Sequence, residues 1–192
     1  MERTMHLGIF MMPLHPPHRT LSETFAEDTE KSLYADGLGY EELWLGEHFS
    51  ATTEPFASPM MFMSNLINQT TNLKFATGVI NLPNHHPAVV AGEVAQFDHM
   101  TGGNFLLGIG PGGLISDFEL FDNLDNDVRA RKFTECIDMI LDIWAGDPPY
   151  NLEGEFWSVK IQEGIISELG IGHMAKPLQR PHPPISVSLA SP

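Results

Sequence analysis

The 192-residue sequence contains 10 Lys and Arg against 25 Asp and Glu, which gives a formal net charge of −15, and 42% of its residues are apolar. This length suffices for one domain over residues 1–192, the 12 Phe exclude a disordered chain, and the single Cys excludes an internal disulfide or a Cys-type zinc site. The negative charge disfavours nucleic acid and anionic membranes as partners, and without a long apolar run or a secretory signal we expect a cytoplasmic protein.

Apolar runs alternate with helical patterns along the first 110 residues. The run 6–12 predicts a buried strand that Pro13 ends. Thr20 and Glu23 form a capping box before a helix predicted over 21–34, which Gly37 and Gly39 end. The next predicted elements are a strand at 43–45, a helix over 60–70 with Ser58 as N-cap before Pro59, a strand over 73–82, a helix that begins at His86-Pro87, and a strand over 104–109.

The rest of the chain contains one long helical pattern. Asn126 is expected to cap it and Gly146 to end it. Residues 150–184 are dense in Gly and Pro and predict turns with short extended pieces, and residues 185–189 predict a fifth strand. The apolar stripe of the helix consists of Phe133, Ile137, Ile140, Leu141 and Trp144.

Strand and helix alternate at a spacing of about 30 residues, which is typical of βαβ units and a parallel sheet. Two architectures fit five such strands. One is an open doubly wound sheet, and the other is the first five units of a (β/α)₈ barrel, which usually needs about 250 residues.

Glu47-His48 directly follows the second predicted strand. Active sites of parallel α/β folds lie at the carboxyl ends of the strands, so His48 is a candidate general base or hydrogen-bond partner of a cofactor. The structural alternative is a histidine that bonds a loop carbonyl.

Glycines follow the fourth predicted strand in the run 108–113, which contains the spacing GxGxxG. A dinucleotide fold carries that pattern on its first strand, so Gly110 and Gly112 are better interpreted as a loop that a ligand approaches closely. Asp117 either faces the same mouth or caps the stretch 118–121.

Polar residues also cluster after the third predicted strand, between Thr77 and Pro87. The neighbouring side chains of His85 and His86 diverge and lack a suitably spaced third ligand, so we expect no metal site. Cys136 lies beside the apolar stripe of the long helix and is expected to be a buried structural thiol.

Taken together, these residues resemble the bacterial luciferase-like, flavin-dependent monooxygenases, in particular the branch that includes limonene monooxygenase. The similarity runs in order along nearly the whole chain. The matching segments are 7–10 (LGIF), 43–49 (LWLGEHF), 77–87, 97–104 (FDHMTGGN), 108–113 followed by Asp117-Phe118, and 177–185 (PLQRPHPPI).

The resemblance implies a (β/α)₈ TIM barrel, usually in a homodimer, of which this chain covers about the first five β/α units. It also implies that reduced FMN from a separate flavin reductase reacts with O₂ to oxygenate a small apolar organic substrate. Two other functions remain open: hydride transfer with a deazaflavin, and a non-catalytic, truncated flavin-binding or assembly fragment.

By the same resemblance, His48 matches the active-site histidine and Asp117 an acidic residue near the flavin ring. Gly78-Val79 matches a non-proline cis peptide against that ring, and Ser191 a residue near the phosphate. Pro111 stands where luciferases have a phosphate-binding arginine, so the phosphate would need other donors, such as backbone N–H groups.

Overall fold

The computed structural model describes residues 6–188, which form a twisted parallel sheet flanked by helices. The strands are β1 (Gly8–Met11), β2 (Glu42–Leu45), β3 (Lys74–Thr77), β4 (Ile80–Asn81), β5 (Phe105–Gly110), β6 (Tyr150–Glu153), β7 (Ser158–Ile161) and β8 (Ile185–Val187). The helices are α1 (Leu21–Gly37), α2 (Pro59–Ser64), α3 (Pro87–Met100), α4 (Ile115–Leu120) and α5 (Asn126–Ala145).

The main sheet places its strands in the order of the sequence. β1, β2, β3 and β5 are parallel neighbours, and β4 and β8 both pair in parallel with the carboxyl half of β5. β4 continues β3, so five barrel positions are filled in succession. A doubly wound sheet would reverse its strand order at a switch point, and this sheet does not, so it forms part of a (β/α) barrel.

Side chains on the outer face of the sheet form the core with the helices. Leu43, Leu45 and Leu107 are fully buried on the strands. They belong to one apolar cluster with α3 and α5, whose buried members include Val90, Val94, Ile140 and Ile143. Successive residues of a strand point to opposite faces of the sheet. Trp44, between Leu43 and Leu45, and its neighbour Phe10 on β1 therefore point to the inner face.

Several predicted boundaries are confirmed and others are wrong. Thr20 and Glu23 form the predicted capping box, although α1 continues to Gly37. α2 ends at Ser64 rather than near residue 70, because the main-chain hydrogen bonds then tighten to a three-residue spacing: the Asn65 N–H donates to the Phe62 carbonyl and the Leu66 N–H to the Met63 carbonyl.

Two more corrections concern the third strand and the long helix. The predicted strand 73–82 is interrupted at Gly78–Val79, where the peptide bond is cis. Asp125, not Asn126, caps α5, because its carboxylate accepts the N–H groups of Asp127 and Val128.

The stretch 150–184 contains the predicted short extended pieces as an antiparallel hairpin, β6–β7. The Glu135 carboxylate on α5 accepts three consecutive backbone N–H groups of its turn, from Glu155, Phe156 and Trp157. Gly154 is needed beside it, because a Cβ there would lie 2.2 Å from a Glu135 carboxylate oxygen. Within residues 6–188, no helix is long and apolar enough to cross a membrane.

Candidate active site

Three chain segments meet at the carboxyl end of the sheet: 46–50 after β2, 78–81 from the end of β3 through β4, and 110–113 from the last residue of β5. Parallel strands bring these segments to one edge because every strand ends on the same side. The candidate residues His48, Gly78, Val79, Gly110 and Gly112 therefore lie at a common mouth, as the sequence predicts.

His48 is paired with a carboxylate in its own loop. Its Nδ1 lies 2.6 Å from Oε2 of Glu54, and their side chains are 15% and 25% exposed. A carboxylate can only accept, so Nδ1 carries the hydrogen, and Nε2 of the neutral ring is left with a lone pair. The alternative of a histidine bonded to a loop carbonyl does not describe this ring.

Glu54, the partner of His48, is a candidate site residue that sequence reasoning missed. It lies six positions after His48 in the irregular stretch between β2 and α2. That stretch folds back because the His48 backbone N–H donates to the Phe56 carbonyl at 2.9 Å. The only signal in the sequence was an acidic residue a few positions after the histidine.

Asp117 lies in the first turn of α4 and is 2% exposed. Its carboxylate accepts the backbone N–H groups of Phe49 at 3.1 Å and Ser50 at 2.9 Å, and also the Ser50 hydroxyl. The alternative that it caps the stretch 118–121 is wrong, because Leu114 occupies the N-cap position. Asp117 instead fixes the loop immediately after His48.

The cis bond that the resemblance implied is present at Gly78–Val79, and aromatic side chains pack beneath it. A Cβ on Gly78 would lie 3.0 Å from the Phe10 ring and 3.4 Å from the Trp44 Cβ. Phe10 is 62% exposed, so the inner face of the sheet offers aromatic surface beside this segment.

Neighbouring atoms of the protein leave no room for a side chain at Gly110 or Gly112. A Cβ at Gly110 would lie 2.4 Å from the Ser188 hydroxyl and 2.7 Å from Val79 Cγ2. Gly112 has a φ of +93° and approaches the Phe118 ring. A Cβ on Gly113, by contrast, would face open space.

The predicted phosphate contact, Ser191, lies outside the described residues. The last described residue, Ser188, donates its backbone N–H to the Ile109 carbonyl at 3.0 Å. Residues 185–187 form β8, which lies within the fifth strand predicted over 185–189, and residue 189 falls outside the described residues.

The adjacent histidines at the mouth face different partners. His85 Nε2 lies 2.9 Å from Oε2 of Glu47, whereas His86 caps α3 by accepting the Ala88 N–H. Among residues 6–188 no group of three ligating side chains could hold a metal ion.

Burial raises the pKa of the Cys136 thiol to about 12, which favours the structural thiol expected there.

A family model described as luciferase-like monooxygenase matches residues 5–191. The chain is 40% identical over 149 residues to 4-hydroxyprotoasukamycin monooxygenase of Streptomyces nodosus subsp. asukaensis, a match that covers 78% of the chain and 40% of the relative. It is 36% identical over 140 residues to limonene 1,2-monooxygenase of Rhodococcus erythropolis, over 73% of the chain and 36% of the relative.

A third relative is the oxygenase component of the flavin-dependent trigonelline monooxygenase of Acinetobacter baylyi, 29% identical over 91% of the chain and 46% of the relative. The chain thus spans less than half the length of these curated relatives. The resemblance found in the sequence, including limonene monooxygenase, is confirmed by these matches.

Solved structures match over most of the chain. The oxygenating constituent of 3,6-diketocamphane monooxygenase of Pseudomonas putida, a type II Baeyer-Villiger monooxygenase in complex with FMN, has a TM-score of 0.84 and 25% identity over 95% of the chain and 51% of that structure. An F420-dependent secondary alcohol dehydrogenase shares the fold with a TM-score of 0.74 and 17% identity, over 95% of the chain and 51% of that structure.

Proposed function

The chain belongs to the luciferase-like monooxygenase family, and from that premise we propose that it acts as a flavin-dependent monooxygenase. The reaction uses reduced FMN and O₂ to insert one oxygen atom into a small apolar organic substrate. The observation that carries the proposal is the His48–Glu54 pair at the carboxyl end of the sheet, beside exposed aromatic surface.

The residues present fit a flavin. An isoalloxazine ring needs flat apolar surface for its faces and polar groups for its edge. Phe10 and Trp44 supply aromatic surface on the inner face, and the His48 ring and main-chain groups of Gly78–Val79 supply polar partners at the mouth. The space next to Gly113 is open, so a ligand can also reach the backbone of this residue.

When bound, reduced FMN supplies two electrons and activates O₂, so that one oxygen atom enters the substrate and the other leaves as water. His48 accepts a proton at Nε2 from the reacting group and returns it later. Glu54 holds the ring in the tautomer that leaves Nε2 free, and its negative charge stabilises the imidazolium that forms. Asp117 keeps this loop in place through Phe49 and Ser50.

The remaining parts of the proposal follow from the family. A separate flavin reductase supplies reduced FMN, in agreement with the relative that is named an oxygenase component. We also propose a homodimer, a cytoplasmic location, a single domain over residues 1–192, and contacts of Gly110, Gly112 and Ser191 with the cofactor.

Anaerobic titration of the chain with reduced FMN tests the proposal, with binding followed by flavin absorbance. Saturable binding in the micromolar range is expected, and it should weaken in His48→Asn, which keeps an amide N–H towards Glu54 but lacks Nε2. His18→Asn, which changes an exposed histidine, serves as the control.

Three outcomes would contradict the proposal in different ways. Binding of a deazaflavin in place of FMN, without O₂ consumption, would favour hydride transfer. FMN binding with no effect of His48→Asn would leave a flavin-binding fragment with no role for the histidine. Failure to bind either cofactor, both by this chain and by a longer one that includes it, would refute the flavin assignment.

A further inference from the structure

Glu47 and Asn81 hold one another by two reciprocal hydrogen bonds. The Asn81 backbone N–H donates to Oε1 of the Glu47 side chain at 3.1 Å, and the Asn81 side-chain amide donates to the Glu47 carbonyl at 3.0 Å. Glu47 directly precedes His48, and Asn81 follows Val79 by two residues. In each of these bonds, the side chain of one residue pairs with the main chain of the other, so the two segments that carry the candidate site are joined twice.

His85 is the third member of this arrangement. Its Nε2 approaches both carboxylate oxygens of Glu47, at 3.1 and 2.9 Å. Its ring also packs on Phe49, with ring centroids 5.7 Å apart, and Phe49 in turn packs edge-on against Phe121 at 4.9 Å. The residues before and after His48 thus both contact His85.

The Glu47 and Asn81 side chains are buried, so their hydrogen bonds cannot be replaced by bonds to water. Glu47 is 4% exposed and Asn81 is 5% exposed. A buried carboxylate is destabilising unless donors satisfy it, and here the donors are Asn81 and His85. Because a buried polar network permits one arrangement of its members, it holds the two segments at a fixed separation.

We propose that Glu47, Asn81 and His85 form a positioning clamp that fixes His48 relative to the Gly78–Val79 segment. The clamp restrains the chain on the amino side of His48, and Asp117 restrains it on the carboxyl side through Phe49 and Ser50. The catalytic meaning of the clamp rests on the proposed function, since His48 is the group that it positions.

The clamp is tested by the rate at which diethylpyrocarbonate modifies His48 at fixed pH, measured for each residue by mass spectrometry, with the exposed His18 as internal standard. Asn81→Ala removes the bond to the Glu47 carbonyl, and His85→Ala removes the bond to its carboxylate. Each should raise modification of His48 by about tenfold, the factor expected when one buried hydrogen bond is lost. His85→Gln restores an N–H donor and should return the rate to that of the wild type.

Asp36→Asn is the matched control. The Asp36 carboxylate at the end of α1 is also buried and accepts main-chain N–H groups from residues 71–73, but these residues precede β3 and so lie at the opposite end of the sheet. This variant should lower stability without changing the His48 rate. An unchanged His48 rate in a folded Asn81→Ala or His85→Ala variant would overturn the clamp, as would an equal rise in Asp36→Asn.

FMN affinity separates this inference from the proposed function. If the wild type binds FMN, the clamp variants should bind it about tenfold more weakly, because a displaced histidine and displaced strand ends no longer match the ring. If the wild type does not bind FMN, the proposed function fails, and the modification rates still decide whether the clamp positions His48. Faster modification with unchanged FMN affinity would show that the clamp orders the loop without serving the cofactor.

Discussion

His48 Nδ1 lies 2.6 Å from Glu54 Oε2, six residues further along the same loop. The contact joins the one histidine directly after β2 to a carboxylate that the loop itself supplies. It decides which ring nitrogen is free to exchange a proton at the mouth of the sheet.

Replacing Glu54 should therefore change the tautomer of His48. In Glu54→Ala the neutral ring loses the acceptor for its Nδ1 hydrogen, and the Nε2–H form becomes populated. Two-bond ¹H–¹⁵N spectra distinguish the two forms and should show Nδ1–H in the wild type. The ring signals of His85, which bonds Glu47 instead, are the internal control. An Nε2–H ring in the wild type would contradict the assignment of Nε2 as the base.

Asp117→Asn should destabilise the protein by about 1–3 kcal/mol, because a buried amide cannot satisfy the Phe49 and Ser50 N–H groups as a carboxylate does. Urea unfolding of the two proteins measures this difference. Glu119→Gln changes an exposed carboxylate on the same helix and should have an effect within about 0.5 kcal/mol. Equal effects of the two substitutions would argue against a special role of Asp117.

Asp36 should make the free energy of unfolding decrease at acid pH. Burial alone would raise its pKa, but N–H groups of Asn72, Thr71 and Leu73 bond the carboxylate and hold its pKa below the ordinary value of 3.8. A lowered folded-state pKa stabilises the protein above pH 3.8, and this stabilisation is lost as pH falls through the folded value.

Asp36→Asn removes that titration, so its free energy of unfolding should lose part of the decline that the wild type shows below pH 4. The measurement is urea unfolding at several pH values, with the exposed Glu30→Gln as the control. Parallel curves for the wild type and Asp36→Asn would contradict the cause assigned to the pKa.

Two glycine-to-alanine substitutions should act in opposite directions. A Cβ on Gly108 would lie 1.8 Å from the Thr77 carbonyl oxygen, so Gly108→Ala forces β3 and β5 apart and costs about 1–3 kcal/mol. Gly92 lies inside α3 with nothing within 4 Å of an added Cβ, so Gly92→Ala should stabilise by about 0.5–1 kcal/mol through helix propensity. Thermal unfolding of the two variants checks both signs.

The sequence determined the succession of elements. Apolar runs, the capping box of Thr20 and Glu23, and the breaks at Gly and Pro depend on residues close together in the chain, so they could be predicted without knowledge of the fold. The succession of the strands along the chain and the position of His48 after a strand followed from the same local patterns, whereas the order of the strands within the sheet did not. Ends that depend on competing hydrogen bonds, such as that of α2 at Ser64, were misplaced.

Only the tertiary structure decided how the site residues are held. Glu47 meets Asn81 across 34 positions, and Asp117 meets Phe49 across 68. The partner of a polar side chain in a loop depends on where the loop is brought by the packing of distant elements, and no periodicity in the sequence encodes that position. The residue types at the mouth were therefore visible in the sequence, whereas the pairing of Glu47 with Asn81 and of Asp117 with Phe49 arose only when the parallel strands aligned their ends.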